Sequence, residues 1–215
     1  ASTLEKNQQM RRDFMADISH ELRTPLAVLR GELEAIQDGV RKFTPETVAS
    51  LQAEVGTLTK LVDDLHQLSM SDEGALAYQK SSVDLIPLLE VAGGAFRERF
   101  ASRGLKLQFS LPDSITVFGD RDRLMQLFNN LLENSLTFAD SAPGVSDDQL
   151  QKLFERFYRT EGSRNRASGG SGLGLAICLN IVEAHNGRII AAHSPFGGVS
   201  ITVELPLERD LQREV

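Results

Sequence analysis

Cysteine is nearly absent: Cys178 is the only one in 215 residues, so no disulfide can close within the chain and a reducing compartment is expected. It lies between Ile177 and Leu179 in a helical pattern and reads as a small core residue rather than a nucleophile. No apolar run reaches membrane-spanning length, and no secretory leader is recognisable. Positive charge is also scarce. With 23 Lys and Arg against 30 Asp and Glu, the net charge is −7, which argues against a nucleic-acid surface, since that needs clustered basic residues. What remains is ordinary for a globular fold, 41% hydrophobic and 25% charged, with room for one or two small domains.

Two long amphipathic stripes come first. Phe14, Ile18, Leu22, Leu26, Leu29, Leu33, Ile36 and Val40 recur at steps of three or four, which predicts a helix with a coiled-coil-like seam. Thr44-Pro45-Glu46 supplies a capping hydroxyl, a proline at the first helical position and an acid in the first turn of a second helix. Its stripe is Val48, Leu51, Val55, Leu58, Val62, Leu65 and Leu68. A short link around Asp38–Thr44 makes the two an antiparallel hairpin, and such a hairpin covers its apolar side most economically by pairing with a second copy as a four-helix bundle. Packing on a second domain of the same chain is the alternative.

His20, in the run His20-Glu21-Leu22-Arg23-Thr24-Pro25-Leu26, falls off the apolar stripe and is expected to face outward. A neutral imidazole whose N–H is taken by a carboxylate keeps its other nitrogen free as a nucleophile, and Glu21 is the nearest carboxylate. Thr24 offers a hydroxyl that could orient a water. Pro25 removes a backbone donor and crowds the Glu21 carbonyl, so the helix is expected to bend or loosen there. A lone helical histidine is ordinarily a solvated surface residue, a reading that His66, His185 and His193 keep.

Beyond a polar stretch, Ser71–Ser82, expected as a hinge, the pattern turns α/β. A helix is expected from Leu85 to about Arg103, strands at Leu105–Leu111 and Ile115–Phe118, and a helix from Asp120 to about Leu136. The last third is expected to hold a glycine-rich loop, a helix from about Gly172 to His185 stopped by Asn186-Gly187, and strands at Arg188–His193 and Gly198–Leu205. Asn130 and Asn134 share one helix face, suited to donating oxygen to Mg²⁺ and contacting phosphates, although such pairs also serve as interhelical hydrogen bonds. Asp140 follows a strand-like Thr137-Phe138-Ala139 and can accept from an exocyclic amine, or can simply be a turn residue before Pro143-Gly144. The run Gly169-Gly170-Ser171-Gly172-Leu173-Gly174-Leu175 opens a helix and so forms a backbone anion site, without the spacing of a P-loop or a dinucleotide fingerprint. Phe154 and Tyr158 can anchor a lid from which Arg159 reaches a γ-phosphate.

The segment Phe14–Leu26 (FMADISHELRTPL) resembles the phospho-acceptor box of bacterial two-component sensor histidine kinases. The downstream pieces, in order, resemble the Asn box, the two glycine boxes and the Phe box of the Bergerat-type ATP-binding domain. The resemblance implies an α + α/β chain: an antiparallel helical hairpin forming a dimeric four-helix bundle over 1–72, a linker at 73–83, and an α/β-sandwich ATP-binding domain over 84–215. It implies that ATP phosphorylates His20 with Glu21 as base, that the phosphoryl group passes to a response-regulator receiver domain, and that Thr24 serves the reverse, phosphatase role. Arg159 would then meet the γ-phosphate, Asn130 and Asn134 would hold Mg²⁺, Asp140 would read adenine and Gly144 would admit the ring. Phe154, Tyr158, Gly170, Gly172, Leu173 and Gly174 would form the lid and its hinge. The implied setting is the cytoplasmic portion of an inner-membrane receptor whose membrane segments lie upstream.

One departure from the family pattern is plain. Members place a few tens of residues, including two strands, between the second asparagine and the adenine aspartate, whereas Asn134 and Asp140 are six apart. A segment is expected to be lacking after Leu136, which bears on the sheet and on the phosphate grip. A dimeric nucleotide-binding scaffold without phosphotransfer is therefore the rival function.

Overall fold

The computed structural model describes residues 2–139, 145–159, 170–195 and 197–208. Contacts divide the chain into two units, Ala1–Gln67 and Leu68–Val215.

The first unit is the helical hairpin. Helix α1 (Ser2–Gln37) runs through Pro25 without interruption, so the loosening expected there is confined to the one hydrogen bond that proline cannot make. Gly39, at a φ of 73°, turns the chain out of α1. Thr44 and Thr47 then cap one another before α2 (Pro45–Asp72): the Thr44 N–H donates to Thr47 Oγ1 at 2.7 Å, and the Thr47 N–H donates back to Thr44 Oγ1 at 3.4 Å. Glu32 fastens the hairpin, its Oε1 accepting from Arg41 at 2.8 Å and from Ser50 of α2 at 3.2 Å. Leu26, Leu33, Val55 and Val62 all remain more than half exposed, so this apolar side is uncovered in a single chain.

The second unit has its own core. It takes in the last turn of α2, where Ser71 accepts from Asn180 and Asp72 forms a two-pronged ion pair with Arg156. Strand β1 (Ser81–Asp84) leads to α3 (Leu85–Ser102), capped by Asp84, whose Oδ1 accepts from the Ile86 N–H. β2 (Thr116–Gly119) pairs antiparallel with β1, Ser81 opposite Gly119. Next come α4 (Arg121–Ala139), α5 (Asp147–Lys152) and α6 (Gly174–Ala184). β3 (Arg188–His193) and β4 (Val199–Glu204) close the unit as an antiparallel ladder. Leu124 and Leu127 of α4, with Ile177, Cys178, Ile181 and Val182 of α6, are fully buried, which confirms Cys178 as a core residue.

Three expectations are corrected. Leu105–Leu111 is not a strand: Leu105 and Leu107 instead pack on Phe96, Phe100 and Leu136, so the alternation reads as an irregular segment laid over helices. Thr137–Ala139 is helical and not a strand, because no turn residue separates it from Leu136 and the helical pattern carries on. The stretch expected as a hinge holds the end of α2, a turn at 73–74 and the first two residues of β1, with only residues 75–80 irregular between them. Among the described residues there are two separate two-stranded sheets, and an isolated bridge pairs Val117 of β2 with Leu207, beyond the end of β4.

Candidate functional site

In the first unit, His20 is exposed near the middle of α1, with Glu21 half-buried beside it. The Thr24 hydroxyl, also exposed, points back along the helix and lies 3.4 Å from the His20 carbonyl, the back-bonding geometry usual for a helical threonine. The exposure of His20 is what its off-stripe position implies.

In the second unit, α4 and α6 lie antiparallel, and the asparagines meet the glycine loop at one end of the pair. Asn130 is buried and its amide nitrogen donates to the Gly174 carbonyl at 3.4 Å. The amide nitrogen of Asn134 donates to the Asn130 carbonyl at 2.8 Å. With both NH₂ groups turned to the protein, the two amide oxygens are the atoms left to accept a cation, and neutral oxygen donors suit Mg²⁺. A Cβ built at Gly174 would stand 3.4 Å from the Asn134 amide nitrogen and 3.8 Å from Asn130, ordinary contact that shows how close both asparagines lie to this residue.

The start of α6 presents backbone donors of the kind that suit an anion. Its first turn has backbone N–H groups without partners inside the helix, and the helix dipole adds a partial positive charge. Gly172 precedes it at a φ of 74°, and a Cβ there would approach the Phe157 backbone to 2.8 Å. The Phe157 N–H donates to the Gly172 carbonyl at 3.1 Å, and Phe157 itself takes a positive φ of 60°. The glycine loop and the Phe154–Arg159 segment are thus clasped backbone to backbone. Leu173 is fully buried, while Gly170 is exposed. Phe154, Tyr158 and Arg159 are half-buried. Asp140 and Gly144 lie outside the described residues.

The structure brings Asn130 and Asn134 to Gly174 and Gly172 to Phe157, and it shows two histidine contacts of which the sequence pattern gave no sign. His193 pairs with Asp147 of α5 at 2.7 Å. His185 is buried, bonded both to α6 and to the segment that starts α4. The signal available was its place directly before the Asn186-Gly187 helix stop, where Asn186 takes a φ of 56°.

Sequence profiles agree with this two-part layout. The profile of the His Kinase A (phospho-acceptor) domain matches residues 10–74, and that of the histidine kinase-, DNA gyrase B- and HSP90-like ATPases matches residues 134–209. The chain belongs to the sensor histidine kinases. The signal transduction histidine-protein kinase BaeS of Escherichia coli K12 is 90% identical over 237 residues, covering all of this chain and 51% of that protein. The sensor protein SphS of Synechococcus elongatus is 36% identical, covering 94% of this chain and 56% of that protein. Among solved structures, the histidine kinase AdeS of Acinetobacter baumannii superposes with a TM-score of 0.72 at 27% identity, over 88% of this chain and 98% of that one. The chain spans about half the length of these curated relatives. The BaeS alignment of 237 residues, against 215 in this chain, is longer by 22.

Proposed function

We propose that this chain is the kinase portion of a two-component sensor: Mg-ATP bound between α4 and the glycine loop phosphorylates His20, and the phosphoryl group then passes to an aspartate of a response-regulator receiver domain. The observation that carries the reading is the meeting of Asn130 and Asn134 with Gly174 at the start of α6, in a chain that also presents an exposed His20 in the phospho-acceptor box. Asn130 and Asn134 hold Mg²⁺ through their amide oxygens, and the cation neutralises phosphate charge. The first-turn N–H groups of α6 cradle phosphate oxygens, and Arg159 compensates charge on the γ-phosphate. Glu21 orients the His20 imidazole and takes its proton. Thr24 positions water when the chain acts on the phosphorylated regulator. Phe154 and Tyr158 seat the lid, Gly170 and Gly172 let it move, Leu173 contributes its backbone, Asp140 reads adenine and Gly144 leaves space for it.

The working protein is a homodimer through the exposed stripe of the hairpin, with the division 1–72, 73–83 and 84–215, and it lies on the cytoplasmic side of a membrane receptor. We place the segment that this chain lacks relative to the family pattern between Leu136 and Thr137, where a family member carries two strands.

A second reading, a dimeric nucleotide-binding scaffold without phosphotransfer, draws on the two short two-stranded sheets found among the described residues and on a helix where a strand was expected before Asp140. Incubation with γ-labelled ATP separates the two. Acid-labile, alkali-stable label on the chain supports the kinase; bound nucleotide with no transferred label supports the scaffold.

A further inference from the structure

The His185 side chain is one of few buried polar groups in the second unit, and both of its ring nitrogens are engaged. Nδ1 lies 2.7 Å from the Ile181 carbonyl. A carbonyl only accepts, so Nδ1 carries the hydrogen. Nε2 lies 2.9 Å from the Asp120 N–H, which only donates, so Nε2 carries a lone pair. One nitrogen of each kind defines a neutral imidazole in the Nδ1–H tautomer. An imidazolium would set a second N–H against the Asp120 N–H and leave that buried donor unsatisfied.

Asp120 is the residue on which α4 begins. Its Oδ1 accepts from the Asp122 and Arg123 N–H groups, each at 3.1 Å, and its Oδ2 accepts from the Gln79 N–H at 2.8 Å. His185 ends α6, its own N–H donating to the Ile181 and Val182 carbonyls. The histidine therefore ties the residue that caps the start of one helix to the last turn of the other. Ten residues along α4 from Asp120 lies Asn130, and eleven residues back along α6 from His185 lies Gly174, each a rise of roughly 15 Å at 1.5 Å per residue. The tie and the ligand-binding end are opposite ends of one antiparallel pair, and sliding either helix by one residue would part Asn130 from Gly174.

We propose that His185, as a neutral imidazole, is a positioning residue for the nucleotide site: it locks α4 and α6 in the register that brings Asn130 and Asn134 to the glycine loop. The proposal rests on the reading of that loop as a nucleotide site. The surroundings leave the ring no slack. A Cβ at Gly119 would come within 2.8 Å of the imidazole, and the Tyr78 ring meets it edge-on with centroids 5.5 Å apart. Burial holds its pKa below the usual 6.5; the Ile181 carbonyl opposes that, Lys80 adds to it and Asp120 opposes it. Lys80, which donates to the Ala184 carbonyl, and Asp120 are the charged groups acting on the ring, while Arg123 of α4 acts on the adjacent Tyr78.

The test uses the whole chain, isotopically labelled, followed by NMR from about pH 8 down to about pH 5. The expected result is the Nδ1–H tautomer at the upper pH, with the side-chain amides of Asn130 and Asn134 and the backbone of Gly174 shifting at the midpoint where His185 protonates. In His185→Gln, whose amide can accept from Asp120 and donate to Ile181, those signals stay still over the same range and Mg-ATP affinity matches that of the parent. In His185→Phe, which fills the space but accepts nothing, Mg-ATP affinity falls by about tenfold with the helical dichroism retained. Asparagine signals indifferent to His185 protonation, or an Nε2–H tautomer, would overturn the lock. If His185→Phe does not fold, the titration and the glutamine variant decide alone. Absence of Mg-ATP binding by the parent chain overturns the nucleotide reading and not the lock, which the resonances report without nucleotide.

Discussion

The two units hold their polar groups in opposite ways. In the first, His20 and Thr24 stand on the open surface of a helix whose apolar stripe is itself uncovered. In the second, Asn130 is buried on a helix pair in which Leu124, Leu127, Ile177 and Ile181 are each fully buried. Burying a polar amide is tolerable only where it is hydrogen-bonded, and the Gly174 carbonyl supplies that. The contrast separates two tasks. A group that must meet a succession of partners belongs on an exposed helix, whereas a group that must hold a small ligand belongs in a core that fixes it.

The largest expected effects are on stability, and they differ in kind between the units. Leu127→Ala removes a fully buried side chain from the α4–α6 contact, and it should cost about 2–5 kcal/mol, read as a lower melting temperature that is independent of protein concentration. Leu33→Asp, on the exposed stripe, should leave the second unit's melting unchanged and drive dissociation of the dimer by sedimentation. A dimer that survives Leu33→Asp would show that the stripe is covered in some other way. Gly172→Ala should come next, because it forces a side chain onto a left-handed backbone and against Phe157, a penalty of about 1–3 kcal/mol. The measurement is Mg-ATP affinity by calorimetry, with a clear weakening expected.

Thr24→Ala should be smaller and selective. The hydroxyl is not needed for the imidazole to attack phosphorus, so autophosphorylation should largely persist while phosphatase activity toward the regulator is mostly lost. Equal loss of both rates would assign the hydroxyl a structural part. The smallest effect concerns pH. His185 has a folded-state pKa lowered from 6.5, so the folded second unit binds fewer protons than its unfolded chain. Its contribution to stability is complete above the unfolded value and is lost as pH falls from there through the folded value. Denaturant melts of the parent and His185→Gln at pH 8 and in this lower window should diverge only in the latter.

Legibility in the sequence followed the strength of local signals. The hairpin was readable because its stripes are long and its second helix opens with Thr44-Pro45-Glu46. The asparagines and the glycine loop were readable because helix spacing and a glycine run each have a direct geometric consequence: Asn130 and Asn134 lie beside Gly174, and Gly172 takes a left-handed backbone. Leu105–Leu111 misled because alternation reports one buried face and cannot distinguish a sheet from the top of helices as the surface that buries it. Thr137–Ala139 misled because strand propensity lost to the continuing helix of α4. His185 was invisible because its meaning depends on Asp120, 65 residues away, and pairings at that separation leave no periodic trace.

The central claim is that the acceptor and the nucleotide site are separate parts of one phosphotransfer. It is tested most directly by incubating the parent chain, His20→Ala and Asn134→Ala with γ-labelled ATP while measuring Mg-ATP affinity on the same samples. The account predicts acid-labile label on the parent alone, undiminished nucleotide affinity in His20→Ala, and lost affinity in Asn134→Ala with its dimer intact. Label that persists on His20→Ala, or unchanged affinity in Asn134→Ala, would contradict it.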